Sequence, residues 1–396
     1  MKKILVLLTS LTLFASCGGT YTDVSPELSE ILEKRISELP APRAEQINLS
    51  INNTPSDERE GIAFLYAYMP QHDLDTISTS MIEQNVAFAY KARNEFAWAK
   101  NVPEEVFLND VLPYITMDET RENWRPEFYE MFAPLVANAK DMFQAVDTIN
   151  KVIKDLVKVE YNTKRNKANQ SPSESMAINM ASCSGLSILF TDALRSVGIP
   201  SRIAGTPLWV TKEGNHNWNE VWIDNSWYFA EYYPAKLDHS WFLVKCAAFE
   251  GLTAPEHQVY ATSFKPVTEL HFPMVWDFND KTVAGINVTD RYVRLHKEQQ
   301  AAAEATKKGG IAVVVKLLKK GGDTKVSADR IEAEVEITDA NGKVVATGKT
   351  RNANADMNDY LTVYLPDAQE FIANYNGNTQ SFKTDKNITN EVILFQ

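Results

Sequence analysis

A cysteine, a histidine and a carboxylate are spaced in this chain so that they could act together in nucleophilic chemistry. Cys183 is followed by Leu186, Leu189, Phe190, Ala193 and Leu194, whose steps of three and one residues trace one face of a helix. The cysteine therefore stands at or just before a helix N-terminus. Unpaired N–H groups and the helix dipole favour an anion there, a thiolate over a thiol. The same N–H groups can hold a developing oxyanion. Further on, Gly214-Asn215-His216-Asn217-Trp218-Asn219-Glu220-Val221-Trp222-Ile223 runs into Asp224-Asn225, and Ser226 to Tyr233 returns. This reads as a β-hairpin with a two-residue turn. Ile223 then pairs with Ser226, His216 lies opposite Tyr233, and Glu231 lies opposite Trp218. Glu231 becomes the diagonal neighbour of His216 on one face, roughly 7–8 Å away between backbones. One hairpin thus presents a base and a group to orient it, the pair that a thiol nucleophile needs. A register slip of one residue would put them on opposite faces.

The surrounding elements must hold these groups in place. Gly198-Ile199-Pro200 ends the cysteine helix, and Ser201 to Gly205 is extended. Residues 20–160 read as helical. Ser25-Pro26 starts a helix with Leu28, Ile31, Leu32 and Leu39 as its stripe, and Pro40-Ala41-Pro42 stops it. Others are expected over Asp57–Met69, Thr79–Lys100 and Ala139–Val159, the last burying Met142, Val146, Ile149, Ile153 and Leu156. From His296 to Lys308 the chain is polar and helix-prone, ending at Gly309-Gly310. Short β-rich runs follow at 311–318, 331–337, 343–348, 360–365 and 370–375, with a hairpin turn at Asn341-Gly342. These suggest a C-terminal β-sandwich.

As a set, several motifs resemble the transglutaminase-like superfamily, the papain-related group with a Cys–His–acid site. They are Ser182-Cys183 opening a helix, Leu194-Arg195-Ser196-Val197-Gly198-Ile199-Pro200-Ser201-Arg202, and His216-Asn217-Trp218-Asn219-Glu220-Val221-Trp222 with Trp227 behind. The core resemblance covers about residues 160–245. The longer run from Gln170-Ser171-Pro172 through Gly205-Thr206-Pro207-Leu208-Trp209 to Ala261-Thr262-Ser263-Phe264 looks like a bacterial lipoprotein subgroup that joins helical, transglutaminase-like and β-sandwich parts. The resemblance implies an α+β fold: a helical N-terminal region, a papain-like core with a helix packed on an antiparallel sheet, and a C-terminal β-sandwich. It implies Cys183 as nucleophile and His216 as base. Where the family usually has Asp, this chain has Glu231, with Asp238 as the alternative acid. Gln170 is implied as an oxyanion donor, by analogy with the glutamine upstream of the cysteine in papain-like enzymes. The implied reaction is acyl transfer on amide bonds through a thioester, with hydrolysis favoured. The alternatives are a cross-linking transglutaminase, or a catalytically silent lipoprotein that binds peptide or glycan. No cofactor or metal is expected. The substrate expected is a protein, peptide or glycopeptide.

The N-terminus reads as a targeting segment. Met1-Lys2-Lys3 is followed by an apolar run from Ile4 to Ala15, then Ser16-Cys17-Gly18. This resembles a bacterial lipobox, with residues 1–16 as a signal peptide and Cys17 as the lipidation site. The expected location is the cell envelope, lipid-anchored at the outer membrane, facing the periplasm or the surface. The remaining divisions expected are 17–160 helical, 161–295 catalytic, 296–309 linker and 310–396 β-sandwich. A net charge of −12 with no basic block argues against nucleic acid as a partner. Three cysteines exclude a disulfide framework. A Cys183–Cys246 bridge is the rival to a free nucleophile, but Cys246 reads better as a buried apolar residue. His72 reads as a surface residue, and His239, His257, His271 and His296 as structural. Asp356, Asn358 and Asp359 lack the glycine and distal glutamate of an EF-hand loop, so a hairpin loop is the better reading.

Overall fold

A computed structural model describes residues 21–210, 214–305, 310–355 and 359–396. The expected signal segment and Cys17 lie outside the described residues, as do Asp356 and Asn358. The chain divides into two compact units, one up to Glu83 and one from Gln84 onward. The division cuts the single helical region expected over 17–160, because the helices after Glu83 bury their apolar faces in the second unit. No described helix is long and apolar enough to cross a membrane.

In the first unit, helices span Pro26–Ser37, Ala41–Asn53, Arg59–Tyr68 and Gln71–Thr76. Leu28, Leu32, Ile36, Ile47, Ile51, Ile62 and Leu65 form buried faces among them. The Ala41–Asn53 helix was not expected. Pro40 and Pro42 end one helix but also start the next, since proline fits a first turn where its missing N–H costs nothing.

In the second unit, the Cys183–Ser196 helix packs on a five-stranded antiparallel sheet. The strand order is Ser226–Ala230, His216–Ile223, Ser201–Thr206, Tyr260–Ser263, Ala284–Asn287. Helices Trp124–Val136 and Met142–Val157 pack against the cysteine helix. The first of these was not expected. The second buries Met142, Val146, Ile149 and Ile153 as expected, but Leu156 is exposed and Asn150 is buried instead. Behind the cysteine helix, the buried Arg125 donates to Asn85 Oδ1 and to the carbonyls of Val111, Leu112, Pro113 and Arg195. One of these, Arg195 O, lies in the last turn of that helix and also accepts from Gly198 N–H at 3.1 Å.

The β-rich remainder is a two-sheet sandwich. One sheet has the order Val344–Lys349, Glu334–Asp339, Glu370–Tyr375, Asn378–Lys383. The other has the order Leu361–Leu365, Ile311–Leu318, Asn390–Phe395. Val313, Val315, Leu317, Val335, Ile337, Phe371, Val392 and Leu394 fill the space between them. The strands at 378–383 and 390–395 were not expected, since Asn, Thr, Gln and Lys dominate the first and hide its pattern. The expected linker is also revised. One helix, Thr289–Ala305, begins well before His296, and Tyr292 is fully buried in the core beneath the sheet.

Candidate functional site

Ser182 caps the helix that Cys183 begins. Its Oγ accepts from Gly185 N–H at 3.0 Å and donates to the Ala168 carbonyl. Cys183 is partly exposed and free, and Cys246 is free and buried; the rival disulfide is not formed. Cys246 sits among Trp209, Trp218, Phe229 and Phe242, and burial pushes its thiol pKa well up. Of the two described thiols, only Cys183 is partly exposed.

The hairpin has the expected register. Ile223 pairs with Ser226 and Asn219 with Ala230. Asp224 and Asn225 take the left-handed conformations of a tight two-residue turn, with φ of 48° and 64°. The ladder stops at Ala230, so Glu231 leaves the sheet. Its carboxylate still reaches the imidazole, with Oε1 2.8 Å from His216 Nε2. Cys183, Leu186, Ser187, His216, Asn217, Trp218, Glu231, Tyr232 and Tyr233 line one narrow cleft. The nucleophile, base and acid candidates are thus brought together.

Asp238 lies elsewhere in the site. Its Oδ1 accepts from Phe229 N–H at 2.7 Å and from Arg291 Nη2 at 3.3 Å. Burial raises its carboxyl pKa despite these contacts. It anchors the 229–238 loop. Gln170 is fully buried, with Oε1 accepting from Asn166 N–H at 3.1 Å and Nε2 donating to Met180 O at 3.0 Å. Its amide braces the loop before the cysteine helix.

Several positioning groups were not anticipated. Ser240 Oγ donates to Glu231 Oε2, so both carboxylate oxygens are engaged. Asn150 Nδ2 donates to the carbonyls of Glu231 at 2.7 Å and Tyr232 at 3.2 Å, and its Oδ1 accepts from Ala235 N–H at 3.1 Å. One buried amide thereby fixes the backbone that carries the acid. Asn217 Nδ2 donates to Ser184 Oγ at 2.7 Å. Asn219 Nδ2 donates to Ser187 O and to Thr191 Oγ1, both at 2.8 Å. These two amides tie the histidine strand to the cysteine helix. A sequence signal for them existed: Asn at alternate positions of a buried strand needs partners. Gly205, paired with Asn217, makes room for this tie. A Cβ there would lie 1.9 Å from Asn217 Oδ1.

The imidazole is 3% exposed and walled by aromatic rings. Trp241, Phe242 and Trp218 lie 5.1, 5.6 and 5.8 Å from it between centroids. Trp218 Nε1 donates to Tyr292 Oη at 2.6 Å, and Tyr292 donates to Glu220 Oε1 at 2.8 Å. Burial by itself would raise the Glu220 carboxyl pKa. Arg202 and Arg291, each 2.7 Å away, outweigh burial and hold it below the usual range.

A cavity of about 490 Å³ has Glu231, Tyr233, Ser240 and Trp241 on one side and Glu332, Arg351, Asn354 and Asp359 of the sandwich on the other. Tyr233 Oη donates to Asn354 O at 3.3 Å across it.

Residues 130–232 match the family model of the transglutaminase-like superfamily. The match starts upstream of the resemblance noted in the sequence and takes in the Met142–Val157 helix and the end of Trp124–Val136. Comparison with curated proteins returns no match. Among solved structures, the chain is similar to one described as "a Putative Cysteine Protease from Cytophaga hutchinsonii", at 15% identity and a TM-score of 0.28. That alignment covers 35% of this chain and 45% of the other, so the chain spans less than half the length of that protein. The expected α+β class holds, with a helical N-terminal region, a transglutaminase-like core and a β-rich C-terminus.

Proposed function

We propose that this protein is a cysteine-dependent hydrolase of amide bonds, acting on a protein, peptide or glycopeptide at the bacterial cell envelope. One observation carries the reading: a partly exposed thiol at a helix N-terminus shares a cleft with an imidazole held at 2.8 Å by a carboxylate. The Cys183 thiolate attacks the substrate carbonyl carbon, and a backbone N–H at the start of its helix holds the oxyanion. Glu231 engages His216 Nε2, so Nδ1 is the nitrogen that exchanges a proton with the thiol. His216 then protonates the departing amine as the C–N bond breaks, leaving an acyl thioester. Water, deprotonated by His216, attacks the thioester; the acid departs and the thiol is regenerated. Glu231 orients the imidazole and stabilises its charged form.

The test is turnover of an amide-substrate library by wild type and by Cys183→Ala. Cleavage lost in the variant supports hydrolysis. Cleavage of equal rate in both would overturn it. Envelope anchoring is part of the same proposal and rests on the lipobox at Cys17.

A further inference from the structure

A second cavity, of about 430 Å³, lies between the transglutaminase-like core and the β-sandwich. This is within the range of small-ligand pockets, which are mostly apolar with a few placed polar groups. Trp209, Trp241 and Val244 form its core side, and Ile311, Tyr360 and Ile388 its sandwich side. Two apolar side chains stand exposed at its lips, Val210 at 40% and Ile388 at 61%. Its charge is unusual for so acidic a chain. Lys245, Lys386 and His296 line it, and no carboxylate does among the described lining residues. Lys245 Nζ lies 5.3 Å from the Trp241 ring centre and 5.7 Å from that of Trp209. The two rings lie 5.9 Å apart and both line the cavity.

We infer that this cavity binds an amphipathic carboxylate, an apolar group carrying an acidic end. The apolar walls take the hydrocarbon or aryl part. The carboxylate sits in the positive field of Lys245 and Lys386. An apolar amino-acid residue with a free carboxylate, as at a peptide C-terminus, has this chemistry, and so does a fatty acid. The site is separate from the Cys183 cleft. It touches that cleft through Trp241, which lines this cavity and also packs on the His216 ring.

The test is calorimetric titration of the full chain with N-acetylphenylalanine, N-acetylphenylalanine amide and dodecanoate. No turnover is needed, so the result is independent of the proposed hydrolysis. At least one carboxylate is expected to bind, and the amide at least about tenfold more weakly than its acid, because a charged hydrogen bond is lost. Preference for the amino-acid probe identifies a peptide end; preference for dodecanoate identifies an acyl chain. Lys245→Met keeps the aliphatic stem and should weaken the carboxylate about tenfold. Ile388→Glu alters an exposed lip without disturbing the fold and should weaken it similarly by repulsion. Binding that neither substitution changes, equal binding of acid and amide, or no binding of either carboxylate at millimolar concentration would overturn the inference.

Discussion

Replacing Glu231 by Gln keeps the side chain's shape but removes the charge that faces His216. The bond at risk is short, 2.8 Å, and its acceptor is partly screened, with 18% of the Glu231 side chain exposed. A hydrogen bond to a charged group in such a setting contributes about 1.5–3 kcal/mol. At about 1.4 kcal/mol per factor of ten, the thiolate–imidazolium pair loses roughly one to two decades of population. The rate of Cys183 alkylation by iodoacetamide at pH 6–7 should fall about 10- to 100-fold. Turnover should fall further, about 10²–10⁴-fold, because the imidazole is also no longer held for proton transfer. Peptide mapping by mass spectrometry separates the signal from that of buried Cys246, which should stay unlabelled in the folded protein. Ser240→Ala, which frees the second carboxylate oxygen, should cost only about three- to tenfold, since one neutral donor is lost. Asp238→Asn should leave the alkylation rate within about threefold of wild type, because its contacts are with Phe229 and Arg291. A crippled Asp238→Asn beside a normal Glu231→Gln would refute this reasoning and move the acid role beyond Pro234.

Gly205→Ala places a Cβ 1.9 Å from Asn217 Oδ1 and 2.8 Å from His216 O; thermal unfolding should show a loss of about 1–3 kcal/mol or more, with slower Cys183 alkylation. Asn150→Ala leaves the Glu231 and Tyr232 carbonyls without their shared donor and should cost about 1–3 kcal/mol in chemical denaturation. Burial raises the Asp110 carboxyl pKa from 3.8 to about 6. The folded state therefore holds this proton more tightly than the unfolded state, and the stability it contributes below pH 4 is lost as pH rises through about 6, by roughly 3 kcal/mol at the most. Asp110→Asn should flatten that slope, so urea titrations should show the variant gaining on wild type between pH 4 and pH 7. Cys17→Ala should move the protein from the membrane fraction to the soluble one or leave it unprocessed; a variant that fractionates like wild type would count against the lipid anchor.

Much of the site was legible in the chain because its signals are local. A helical stripe after Cys183 places the thiol at a helix start. The two-residue turn at Asp224-Asn225 sets the hairpin register, which carries Glu231 toward His216 without knowledge of the rest of the molecule. The helices at 41–53 and 124–136 were missed because prolines and mixed polarity masked their periods. The strand at 378–383 was missed because its exposed side chains are polar.

What only the tertiary structure decided are the contacts between segments far apart in sequence. Asn150, on a helix some eighty residues upstream, fixes the backbone of Glu231. Ser240 takes the other carboxylate oxygen, and Asp238 is turned away to Arg291. Arg351 and Asn354 of the sandwich line the cavity beside Glu231, more than a hundred residues along the chain. Local propensity and side-chain period act over a few residues, so they can be read along the chain. The partner of a buried amide or carboxylate is chosen by three-dimensional packing, in which burial forces each polar group to find a partner wherever the fold brings one within reach.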